Sequence, residues 1–92
     1  MRFAARRHAA WAIATARTKA DRLALWIQIP GPWRELVAHN VAHLLGAIIG
    51  ALPTDKARHA ALEEVPEELR AGVEEQVRRV LHVTARRDRH DA

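Results

Sequence analysis

The residues best placed to do chemistry lie in one run, HNVAHLLGAIIGAL, residues 39–52. His39 and His43 stand four apart, so on a helix both imidazoles rise from one face and could share a metal ion. The run departs from the zinc-protease helix H-E-x-x-H, because Asn40 stands where the general-base glutamate would be. A zinc site needs three or four protein ligands, and His8, His59, His82 and His90 show no matching spacing. The expectation is two half-exposed histidines, no metal and no cofactor.

Other catalytic chemistry is thinner. The 92 residues include no Cys, no Ser and no Tyr. Nucleophilic work would fall to Thr15, Thr18, Thr54, Thr84, a carboxylate, a His or a Lys, and none of these sits in a recognisable catalytic arrangement. Glu63-Glu64, Glu67-Glu68 and Glu74-Glu75 imitate acid/base pairs. Neighbours on a helix point about 100° apart, so such doublets read as solvated faces. No glycine-rich phosphate loop is present and no small-molecule substrate is identified. The chain reads as a non-enzyme.

In the same run, Gly46 and Gly50 form a G-x-x-x-G pair. Glycine inside a helix costs about 1 kcal/mol relative to alanine, so two of them imply a gain from the missing side chains. On a helical wheel His39, Ala42, His43, Gly46, Ala47 and Gly50 share one low-relief side, opposite a broad Leu/Val/Ile side that would fill the core. That low ridge reads as a packing surface, either for the alanine stripe of the first helix or for a second copy of the chain. A membrane span is the weaker reading, since Leu36–Leu52 is at the lower length limit and carries His39, Asn40 and His43.

Cations gather at the other end. Residues 1–34 carry seven Arg or Lys against the single acid Asp21, while the remainder holds more acids than bases. Arg6, Arg7, His8, Trp11, Lys19, Arg22 and Trp26 would share the polar arc of the first helix. Cations can neutralise phosphates, and an indole can stack on a base or sit at a headgroup boundary. The plainer alternative is that the two tryptophans cover the core. No helix-turn-helix pattern stands out.

These groups need a scaffold, and composition indicates its class. Alanine is abundant, β-branched and aromatic residues are sparse, and the apolar fraction is 49%. This predicts an all-α fold, a single domain over 1–92. Pro30-Gly31-Pro32, Pro53-Thr54-Asp55 and Val65-Pro66 divide it into about four helices, near 3–29, 33–52, 55–64 and 66–88. The first would be long, about 39 Å. Its inward stripe would be Ala5, Ala9, Ala12, Ile13, Ala16, Ala20, Leu23 and Ile27. The second is apolar, the third short, and the fourth long and amphipathic, burying Leu69, Val73, Val77, Val80, Leu81 and Thr84. Residues 86–92 read as a frayed charged tail.

The basic start imitates a secretory signal or a transit peptide. Its apolar core is short and alanine-rich, and Ser is absent, so it is expected to be retained in a cytoplasmic protein. The functional expectation is a self-associating binding module that offers an Arg/Trp face to nucleic acid or another acidic partner. The alternatives are a structural oligomer built on the Gly46/Gly50 face, and a peripheral membrane-associated protein.

Overall fold

The computed structural model describes the backbone of residues 3–91 and the side chains of residues 5–86. It is all-helical, with α1 (Phe3–Thr15), α2 (Lys19–Trp26), α3 (Gly31–Gly50), α4 (Asp55–Glu63) and α5 (Glu67–Asp91). Among the described residues there is no strand.

The anticipated first helix is two helices, divided at Ala16-Arg17-Thr18. Two side chains cause the division. Thr18 is extended (φ −121°, ψ 155°) and its hydroxyl accepts from the Asp21 amide at 3.1 Å, which starts a new helix. The Arg22 guanidinium donates to the Ile13 and Ala14 carbonyls at 3.1 and 3.4 Å, satisfying the end of the old one. The break shifts the helical phase. Leu23 and Ile27, expected inside, face solvent, while Arg22 and Trp26 turn inward.

The other boundaries follow local chemistry. Gly31 and Pro32 form the first turn of α3, where the missing proline N–H removes nothing. Thr54 caps α4 by accepting from the Ala57 amide at 3.1 Å. Glu67 and Glu68 sit in the first turn of α5, at the positive end of its dipole. The helical backbone of α5 continues to Asp91, through most of the segment anticipated as a frayed tail; the side chains of 87–92 lie outside the described residues.

Helix α3 is central and packs chiefly on α5 and α1. Its Val37, Val41, Leu45 and Ile49 form the spine of the core. Around them lie Ala10, Ile13 and Ala14 of α1, then Trp26, Ile29 and Val65, and finally Leu69, Val73 and Val77 of α5. Each large aliphatic side chain so buried contributes about 1.5–3 kcal/mol. Thr84, expected inside, is exposed and bonds back to the Val80 carbonyl at 3.0 Å. It lies one turn past Val80, the residue opposite Gly50 where α3 ends, so nothing from α3 covers it.

Candidate functional site

The glycines settle against α5. A Cβ built on Gly46 would lie 2.5 Å from Gln76 Cβ and Cγ, and one on Gly50 would lie 2.8 Å from Val80 Cγ1. Across the same seam, a Cβ on Gly72 would meet Ala42 Cβ at 3.4 Å. The missing side chains therefore let α3 and α5 approach within one chain, and this side of α3 is closed. The alanine stripe of α1, the intramolecular partner considered from the sequence, is not what touches it. His39 and His43 lie past the closed stretch and are exposed. Their rings meet edge to face with centroids 4.6 Å apart. Among the described residues no cluster of three or more metal-binding side chains forms.

The basic face is dispersed. Arg22 is buried at 7% exposure, and besides its α1 contacts it donates to the Glu64 carbonyl at 2.7 Å. Burial pulls its guanidinium below the ordinary arginine value, and the Glu64 carboxylate partly offsets this. Trp26 is 4% exposed and donates from Nε1 to Glu68 at 3.0 Å. Arg6 lies over the Trp33 ring, 4.0 Å from its centroid. Lys19 is half-buried, with its backbone amide on the Glu64 carboxylate at 2.8 Å. Arg22 and Trp26 were expected on a solvent-facing arc; both are parts of the core and its seams.

A pattern of four explains where the arginines went. Arg22 closes the α1–α2 junction. Arg34 does so for α2–α3, donating to the Ile29 carbonyl at 3.1 Å. Arg58 reaches the Leu52 carbonyl at 2.6 Å between α3 and α4. Arg70 reaches the Val65 carbonyl at 3.2 Å between α4 and α5. Helix C-termini leave carbonyls unpaired at the negative end of the dipole, and a guanidinium offers several donors and a positive charge. Each junction has its own arginine.

What stays open lies on the outer side of α3 and along α1. Trp11 is 56% exposed and stacks near His8, with ring centroids 6.2 Å apart. Arg7, His8, Ala10 and Trp11 form one wall of a shallow groove whose other wall is Asn40, His43 and Leu44. From that groove the outward face of α3 continues through Leu36, Ala47, Ile48 and Ala51, all exposed. The wheel had assigned Leu44 and Ile48 to the core; α1 and α5 flank α3 without covering these two. The wheel hides this surface because it groups Leu44 and Ile48 with Val37, Val41, Leu45 and Ile49 on one core-filling side. The available signal was the absence of any Asp, Glu, Lys or Arg from 36 to 52.

Among the described residues, no helix is long and apolar enough to cross a membrane. Compared with known proteins, the chain matches no family model, no curated sequence and no solved structure.

Proposed function

We propose that this chain is a small non-enzymatic helical binding module that receives another helix on the outward face of α3, with Arg7, His8 and Trp11 as one rim. The supporting observation is the charge-free run 36–52, whose outer side leaves Leu36, Leu44 and Ile48 in water beside an exposed indole. Interface centres are depleted in charge and enriched in aromatics, and this patch has both properties. Arg7 and His8 would favour carboxylates at the partner's edge, retaining the preference for an acidic partner in a narrower form.

Nucleic acid is the second reading. It keeps Arg7, His8 and Trp11 but loses Arg22 to the junction between α1 and α2. Phosphate-driven affinity scales with the number of neutralised phosphates, so losing cations weighs against it. Titration of tryptophan fluorescence separates the two. A synthetic helix with leucine and alanine on one face and glutamate on the other is expected to give a saturable change that Leu44→Glu abolishes. A silent peptide, or a response only to a single-stranded oligonucleotide that collapses with salt and ignores Leu44→Glu, would overturn the proposal.

A further inference from the structure

We infer that the groove between α1 and α3 is pH-gated, holding a partner's carboxylates more tightly as His8 and His43 become charged. This rests on the reading of the outward face of α3 as the seat of an acidic helix, and adds the regulation of that site.

The groove encloses about 510 Å³, and its polar lining is Arg7 and His8 from α1 with Asn40 and His43 from α3. Among the described residues that line it, none is Asp or Glu. His8 and His43 are both exposed, so protons and a ligand reach each imidazole. An imidazole changes its charge between about pH 5 and 8, whereas a guanidinium is charged throughout. The lining therefore holds one positive charge at the upper end, from Arg7, and three at the lower end, when His8 and His43 join it.

The neighbours of the two imidazoles decide what that charging costs. His8 has the Trp11 ring beside it, centroids 6.2 Å apart, Arg7 next to it on α1, and His43 on the opposite wall. His43 meets the His39 ring on its own helix at 4.6 Å, and Arg7 and His8 from α1. On its other side a second cleft brings Glu35 of α3 together with Glu68, Glu75 and Arg79 of α5. Glu75 is paired with Arg79 at 2.8 Å, and Glu68 accepts from the Trp26 indole at 3.0 Å. These carboxylates favour a charged His43 whether or not a ligand is bound, so they set a constant background. Within the α1–α3 groove itself the imidazoles meet only like charge.

Like charge resists each added proton, and a carboxylate seated between the walls removes that resistance. The complex then binds protons that the free chain releases. By linkage, affinity rises as pH falls through the imidazole range and levels off once both rings are charged. Near about pH 4.3 the partner's glutamates lose their own charge and the gain reverses. One exposed ion pair is worth a factor of about 1.5–5, so two give roughly fivefold to tenfold.

Isothermal titration calorimetry of the full chain with the glutamate-faced helix, in buffers of different ionisation enthalpy, tests this. Between about pH 7.5 and about pH 5.5 the dissociation constant should fall roughly fivefold to tenfold, with net proton uptake on binding. His8→Gln and His43→Gln combined should abolish both effects, while His59→Gln on α4 should preserve them. All three positions are exposed, so the fold should tolerate the changes. A helix carrying glutamine in place of glutamate should show no rise, which checks the charge argument on the unaltered chain. Equal affinity at the two pH values overturns the inference and leaves the binding face standing. So does a rise that survives the combined variant, or one that the glutamine helix shares. Absence of binding at either pH removes the face and its gating together.

Discussion

On one side of α3, Ala42, Gly46 and Gly50 lie under α5; on the other, Leu36, Leu44, Ala47 and Ile48 face water. Gly46 and Ala47 are adjacent in the chain and small, yet Gly46 is buried against Gln76 and Ala47 is exposed. Small size therefore has two meanings along one helix. On the α5 side it permits close approach inside the monomer. On the outward side it leaves low relief between larger apolar residues, which is what an incoming helix needs.

The harshest way to break this contrast is Gly46→Leu. Its first added carbon already overlaps Gln76, so the seam must open. The expected loss is about 3 kcal/mol or more in chemical denaturation, occasionally enough to prevent folding. Ala47→Leu, one residue on, should change the same midpoint by no more than about 0.5 kcal/mol. Equal losses at both positions would erase the distinction between the two sides.

Next in size is Arg22→Leu. It strands the carbonyls of Ile13, Ala14 and Glu64, and an unsatisfied buried acceptor costs about 1–3 kcal/mol. A loss of about 3 kcal/mol is expected, with urea denaturation as the measurement. Arg7→Gln, at an exposed rim position, should leave stability within about 0.5 kcal/mol while weakening an acidic peptide. The two arginines look alike in the sequence; their roles should separate cleanly in this pair of assays.

The smallest effect concerns Asp55, on the exposed surface of α4. Its carboxyl accepts a hydrogen bond from Arg58 and is held below the ordinary aspartate value, chiefly by that bond. A lowered folded-state value means the carboxylate adds stability above the ordinary value of about 3.9 and loses it as pH falls through the depressed one. Asp55→Asn should therefore flatten the acid limb of the stability–pH curve slightly and leave the outward face of α3 untouched. An unchanged acid limb would remove Asp55 from the account of the α3–α4 junction.

Much of the architecture is readable from residue types alone. Alanine abundance and three proline breaks give an all-helical chain, and the boundaries near 53–55 and 65–66 fall where proline and threonine place them. The break at 16–18 carries a signal that apolar periodicity hides. Thr18-Lys19-Ala20-Asp21 is a capping pattern, and it outweighs a stripe of alanines with little side chain to bury. Once α2 is out of phase with α1, Arg22 and Trp26 move from surface to core. One continuous wheel puts both on the polar arc; the plainer alternative, tryptophans covering the core, holds for Trp26 and not for Trp11.

The candidate surface was legible only in part. The wheel puts Trp11 on the polar arc opposite the alanine stripe, with core cover as the alternative, and the structure leaves it exposed. Leu44 and Ile48 fall on the core-filling side, because a wheel sorts residues by chemistry and cannot know how many helices will surround it. Three neighbours would have buried both. Two extensive ones, α1 and α5, leave them exposed. The partner of the Gly46/Gly50 pair was hidden for a similar reason. Gln76 is polar and sits between core positions Val73 and Val77, so nothing in its type marks it as the residue pressed onto a glycine.

The sign of a glycine-to-alanine change tests the two-sided reading of α3 most directly. Alanine is favoured over glycine by about 1 kcal/mol in an unobstructed helix, so Gly72→Ala, with only Ala42 Cβ at 3.4 Å, should raise the thermal midpoint. Gly46→Ala should lower it despite the same propensity gain, because Gln76 occupies the space its Cβ needs. If both substitutions raise the midpoint alike, α5 does not press on Gly46, and the closed side of α3 has been placed wrongly.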